Sequence, residues 1–113
     1  MQPKELKYIL DLESLIQEVE KIQERYTHNY TLFKEDFLGV RSLERVLEII
    51  GEALKKLLAV NDQIIISNSK RIISLRNILA HEYDNIDSAI LWSIAIKDIP
   101  ILKDEIKDLR KNS

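Results

Sequence analysis

The chain contains no cysteine among its 113 residues. Disulfide bonds and thiolate metal sites are therefore excluded, and a reducing cytoplasm is compatible with the composition. Glycine and proline are also scarce, with two of each. Because these residues interrupt regular structure, their scarcity indicates long elements of secondary structure joined by short connections.

Long hydrophobic runs are lacking as well. No window approaches the ~20 apolar residues of a membrane span, and the first ten residues have no apolar signal core. We therefore expect a protein that spans no membrane and works in the cytoplasm. The net charge of -2 at pH 7 argues against a broadly basic nucleic-acid-binding surface, although it leaves room for a local basic pocket.

Apolar residues that recur every three or four positions predict helices along most of the chain. The expected fold is all-α, an antiparallel up-and-down bundle of about four main helices plus a short C-terminal helix, in a single domain over residues 1–113. The first expected helix runs from about Lys4 to Arg25 or Tyr26, and the second from Val40 to Ala59 with an approach from Asp36 or Phe37. The third begins at about Lys70, and the fourth follows a cap at Asn85 or Asp87. A break at Asp98–Pro100 precedes the last helix, from Pro100 to Arg110.

Two segments interrupt the helical pattern. His28 lies where the first period breaks, and we expect it to serve only the free carbonyl groups at that helix end. Gln63–Ser67 contains three consecutive isoleucines, which favour a strand locally. Since a lone strand has no partner, we expect a loop that plugs the core. The part of Ile64–Ser69 in substrate access or dimer packing stays open.

Gly51 lies inside the second long helix, where glycine costs about 1 kcal/mol relative to alanine. Close approach of another helix is the expected compensation. The adjacent Glu52 borders the apolar stripe. It either points toward a functional site or is an ordinary solvated glutamate.

Chemistry-bearing side chains concentrate between Arg76 and Tyr83, in the sequence RNILAHEY. Asn77 and His81 lie about 40° apart on one helix face, whereas Arg76 and His81 are about 140° apart. A rigid helix would not place that arginine beside the histidine. The long arginine could wrap around the helix, the helix could end near His81, or a second copy of the chain could supply the missing group.

This segment resembles the signature motif of HepT-like HEPN proteins, the toxin halves of HepT–MntA toxin–antitoxin pairs. The residues IIGEA at 49–53 and DNID at 84–87, with Trp92, support the resemblance, which extends from about residue 5 to about residue 108. It implies a metal-independent endoribonuclease without a cofactor, acting on RNA at a homodimer interface. Arg76 and His81 would be the catalytic pair, with Asn77 in support.

Further candidates are less central to the motif. Glu52 is a possible supporting residue, and Lys70 and Arg71, one to two turns before Arg76, could extend a phosphate-binding track. Trp92 is assigned to core or dimer packing. The resemblance implies that Tyr83 is the acceptor for AMP groups transferred by an MntA-like nucleotidyltransferase antitoxin. The alternative is a purely structural role, in which Tyr83 packs its ring at a helix end.

A second function from a different class competes with the ribonuclease. The chain could be a non-catalytic helical module that serves as the partner subunit or substrate of a nucleotidyltransferase. An arginine and a histidine separated by four residues often occur by chance in unrelated sequences. The acidic pI of about 5.7 also mildly favours this module. The intact set of Arg76, Asn77 and His81 favours the ribonuclease.

Overall fold

The computed structural model describes residues 1–81 and 87–112, except for the side chain of His81. Every regular element in these ranges is helical, so the all-α prediction is confirmed. The elements are α1 (Pro3–Arg25), α2 (Tyr30–Glu35), α3 (Phe37–Val60), α4 (Ser69–His81), α5 (Ser88–Ser93), a π-helical turn (Ile94–Asp98) and α6 (Ile99–Lys111). None of the described helices is both long and apolar enough to cross a membrane.

The end of α1 is closed by its own backbone. Thr27 and His28 adopt left-handed conformations, with φ of 51° and 56°. This turns the N–H of His28 back onto the carbonyl oxygen of Gln23, at 2.8 Å. The residue thus satisfies a free carbonyl at the helix end, as expected, and it does so through its main chain. Helix α2 follows and was not predicted, because six residues are too short to show a period.

The core lies between α1, α3 and α4, with α5 and α6 closing one side. Asp36 begins α3 by accepting a hydrogen bond from the N–H of Leu38 at 3.1 Å, and its second oxygen accepts from the hydroxyl of Tyr26 at 2.8 Å. Phe33 is fully buried, with its ring centroid 4.6 Å from that of Trp92. Trp92 is therefore a core residue, one of the two roles expected for it.

The isoleucine segment is a loop that plugs the core, as predicted. Ile66 is 4% exposed, whereas its neighbour Ile65 is 85% exposed. Ser67 fastens the segment to α6, because its N–H and hydroxyl donate to the Glu105 carboxylate at 3.1 and 3.0 Å. The buried side chain of Ile66 and the hydrogen bonds to Glu105 thus hold the loop in place without a partner strand.

The predicted break at Asp98–Pro100 is wrong. The chain stays helical from α5 through the π-helical turn into α6, and the N–H of Ile99 donates to the carbonyl of Ile94. Inside a continuous helix, proline has no N–H to donate to the preceding turn, and its ring crowds the carbonyl group there. The wider π turn therefore admits Pro100 without interrupting the rod. The predicted cap at Asp87 is confirmed, since its side chain accepts from the N–H of Ala89 at 2.9 Å.

Candidate functional site

Helix α4 carries the motif, and its first turn is anchored from outside the helix. Asn68, just before α4, donates its side-chain amide to Asp98 at 3.0 Å. Arg71 approaches the other oxygen of the same carboxylate, with its Nε 2.8 Å away. This ion pair connects α4 to the π-helical turn, and the carboxylate is largely shielded from solvent because Asp98 is only 7% exposed. Further along α4, the buried side chains of Leu75 and Leu79 face the core.

Gly51 is a point of close contact between α3 and α4. A Cβ atom added there would lie 2.4 Å from the Cβ of Arg76 and 3.2 Å from the carbonyl oxygen of Ile72. The expectation of a close helix approach at this glycine is confirmed. The stem of Arg76 therefore rests directly on the backbone of α3, which limits the positions that its guanidinium group can reach.

The guanidinium group of Arg76 has one partner and one open donor among the residues that the structure describes. Its Nη1 donates to the side-chain oxygen of Asn77 at 3.2 Å, while its Nε–H is buried without a hydrogen-bond partner. A buried, unsatisfied donor costs about 1–3 kcal/mol. Native proteins rarely retain such a cost, so the unsatisfied Nε–H sets Arg76 apart from the other described side chains of α4.

The arginine and the histidine begin on different sides of α4. The helix is continuous from Arg76 to His81, so the separation of about 140° persists within one chain. The hydrogen bond to Asn77 draws the guanidinium toward the face that Asn77 and His81 share. The structure thus brings Arg76 and Asn77 together. The side chain of His81 and the whole of Tyr83 lie outside the described residues, and the catalytic roles stay predictions.

The other predicted residues lie elsewhere. Glu52 faces a hollow between α1 and α3, where its carboxylate is 3.4 Å from the ammonium group of Lys56. Arg71 is engaged with Asp98, although over half of its side chain is exposed. Lys70 is exposed in the first turn of α4. Their support and phosphate-contact roles remain predictions.

Two arginines that the sequence reasoning missed lie beside the end of the motif helix. Arg41 and Arg45 line a hollow of about 320 Å³ together with Leu79 and Ala80, the two residues before His81. The same hollow contains Glu44 and Glu48, which pair with these arginines at 3.1 and 3.3 Å. The sequence could have indicated these arginines through the antiparallel order of α3 and α4, because that order places residues before Gly51 opposite residues after Arg76.

Known proteins share this chain's pattern over most of its length. The chain matches the family described as "Ribonuclease HepT-like" over residues 14–109. It is 34% identical to the protein named "Putative RNase" from Caldanaerobacter subterraneus subsp. tengcongensis, over 87% of this chain and 89% of that protein. It is also 34% identical to "Probable ribonuclease HepT" from Thermococcus cleftensis, over 88% of this chain and 93% of that protein. No solved structure matches significantly.

The arginine-to-histidine motif lies on α4, which packs against α3 in this helical bundle. The chain belongs to the HepT-like ribonuclease family of HEPN proteins.

Proposed function

We propose that the protein is a metal-independent endoribonuclease, the cytoplasmic toxin of a toxin–antitoxin pair. The observation that carries the proposal is the state of Arg76. Its stem is held against Gly51, one nitrogen is bonded to Asn77, and its Nε–H is buried without a partner in the described part of the chain. A guanidinium group held in this way presents its outer N–H groups, which are the donors from which an RNA phosphate oxygen accepts. The family match supports the same activity.

The reaction needs few protein groups. His81 takes the proton of a ribose 2′-hydroxyl, the freed oxygen attacks the adjacent phosphorus, and the bond to the 5′-oxygen of the next nucleotide breaks. A protonated group at the site returns a proton to that leaving oxygen. Arg76 stabilises the charge that builds on the phosphate, and Asn77 orients the guanidinium. The products are a 2′,3′-cyclic phosphate and a free 5′-hydroxyl, so DNA is no substrate.

A homodimer completes this site in the proposal. Arg76 and His81 begin about 140° apart on α4, and two-fold pairing of α4 would bring both motifs into one cleft. The apolar Ile78, between Asn77 and Leu79, is 41% exposed on the same helix. We expect a dimer in analytical ultracentrifugation at micromolar concentration, and a strictly monomeric protein would contradict this part of the proposal.

Cleavage of RNA by the purified protein is the direct test. We expect wild-type protein to cut single-stranded RNA in the presence of EDTA and to leave 2′,3′-cyclic phosphate ends. His81→Ala and Arg76→Ala should fold normally and lose activity, about 10²–10⁴-fold for the histidine. A folded His81→Ala protein with wild-type cleavage would exclude the mechanism. A wild-type protein that binds a nucleotidyltransferase and cuts no RNA would favour the non-catalytic module.

Regulation through Tyr83 is the second part of the proposal. An MntA-like nucleotidyltransferase would transfer AMP from ATP to the tyrosine oxygen, two residues beyond His81, with loss of the hydroxyl proton and release of pyrophosphate. The added phosphodiester would bring negative charge close to Arg76, where it competes with RNA phosphate. We expect Tyr83→Phe to resist neutralisation by the antitoxin and to lack the AMP adduct in mass spectrometry. An adduct that persists in this variant, or that maps to Tyr26 or Tyr30, would place the switch elsewhere.

A further inference from the structure

One surface line on α3 combines an aromatic ring with two cationic groups at four-residue intervals. Phe37 is 70% exposed, and the side chains of Arg41 and Arg45 are 60% and 69% exposed. Four helical residues rise about 6 Å and turn through about 40°, so the three side chains form a line about 12 Å long. Among the aromatic residues in the described ranges, Phe37 alone has a largely exposed side chain.

This line starts beside the motif. Arg41 and Arg45 share their hollow with Leu79 and Ala80 at the end of α4. Because Gly51 lies opposite Arg76, the first half of α3 extends past the end of α4 that carries His81. A nucleic-acid strand whose phosphate is bound at the motif would therefore contact the two arginines first and Phe37 last.

The three side chains match what a single-stranded nucleic acid presents. A guanidinium group donates several hydrogen bonds to phosphate oxygens, and an exposed ring stacks on a base of any sequence. Each arginine is paired through one Nη1 atom to a glutamate on the next helical turn. Such surface ion pairs are weak and leave other N–H groups of the fork available. Glu44 and Glu48 thus orient the arginines without occupying all of their donors.

We propose that Phe37, Arg41 and Arg45 form a track that binds the single-stranded RNA substrate next to the cleaved bond. The inference rests on the proposed ribonuclease function and deepens it, because it assigns the substrate contacts outside the motif. The exposed ring in line with two guanidinium groups, and the continuity of this line with the hollow at Leu79–Ala80, favour RNA as the occupant over a protein partner.

RNA binding by the His81→Ala protein tests the track without cleavage. The probe is a fluorescent single-stranded RNA of about 12 nucleotides, within the range that such surfaces cover. Affinity is measured by anisotropy at several salt concentrations. In the His81→Ala background, the pair Arg41→Ala and Arg45→Ala should weaken binding and reduce the slope of log K against log salt by about 1.4, since each phosphate contact contributes about 0.7.

Phe37→Ala should weaken binding by about 5-fold or more and leave the salt slope unchanged, because stacking releases no counterions. Phe37→Trp should retain the affinity. The matched charge control is Lys103→Ala with Arg110→Ala, which also removes two cations that are paired with glutamates, on the α1–α6 side. Ile65→Ala removes a side chain that is 85% exposed at another site and serves as the control for Phe37.

The outcomes separate the track from the function beneath it. Equal affinity and salt slope in the Arg41/Arg45 and Lys103/Arg110 double variants would overturn the track, as would a Phe37→Ala protein whose dimerisation changes and whose RNA affinity does not. If wild-type protein cleaves RNA while the α3 variants bind and cleave normally, only the track fails. If wild-type protein neither binds nor cleaves RNA, the proposed function fails and the track with it.

Discussion

Substitution of Gly51 by alanine would place a methyl group inside the contact between α3 and α4. The new Cβ would lie 2.4 Å from the Cβ of Arg76, whereas carbon atoms in contact are about 3.5–4.0 Å apart. The two helices must therefore separate locally by roughly 1 Å. Overpacking of this kind costs about 1–3 kcal/mol, and the better helix propensity of alanine returns about 1 kcal/mol. We expect a net loss of up to about 2 kcal/mol in stability.

The effect on cleavage should exceed the effect on folding. The atom that the methyl group strikes is the first carbon of the Arg76 side chain, so the displacement passes directly to the guanidinium group. A misplacement of about 1 Å at a positioning contact can reduce the rate about 100-fold. The assay is kcat/KM for RNA cleavage at a temperature well below the melting transition, where both proteins are fully folded.

Two comparisons distinguish positioning from instability. Ile106→Val, in α6, removes a methyl group from a residue that is 1% exposed. It should cost about 0.5–1.5 kcal/mol and leave cleavage unchanged. In an Arg76→Ala background, Gly51→Ala should still destabilise the fold, because the Cβ contact remains, and should reduce cleavage little further. Wild-type kcat/KM in Gly51→Ala would refute the reasoning, as would an equal loss of activity in Ile106→Val.

Two further predictions concern the anchors around the site. Arg71→Ala removes the cation beside the buried carboxylate of Asp98 and should cost about 1–2 kcal/mol in urea unfolding, whereas Lys70→Ala should change stability by less than about 0.5 kcal/mol; equal effects would contradict the anchoring role. Burial of the ring, and then the hydrogen bond to Asp36, raises the pKa of Tyr26 above 10. The folded state thus favours the neutral hydroxyl more than the unfolded state does. The contribution of neutral Tyr26 to the free energy of unfolding is complete below pH 10 and is lost as the pH rises through the raised pKa. Tyr26→Phe should therefore show a shallower fall of Tm above pH 10, and identical slopes in the two proteins would exclude this linkage.

The positions of the long helices could be predicted because an apolar stripe is a local property of the sequence. Pro3–Arg25 and Phe37–Val60 begin and end close to the expected limits, and each stripe must be buried by whatever packs on it. The cap at Asp87 and the close approach at Gly51 were also predictable. In both cases a single residue carries a cost or a preference that only one kind of surrounding satisfies.

Other features depend on residues that are distant in the sequence, and tertiary structure alone decided them. The presence of glycine at position 51 indicates that some helix comes close, but the register between α3 and α4 selects Arg76 as the side chain in contact. The π-helical turn carried the chain through Pro100 because the surrounding core favours one continuous rod over the break that proline suggests locally.

The same reason separates the residues that the sequence placed at the site from those that the fold brings there. Arg76 and Asn77 are neighbours in the chain, so their proximity was evident from the sequence. Arg41 and Arg45 are more than thirty positions away from Leu79 and Ala80, and the antiparallel packing of two helices places them together. A local pattern specifies which face of a helix is buried, whereas the identity of the partner side chain follows from the register in which whole helices pack.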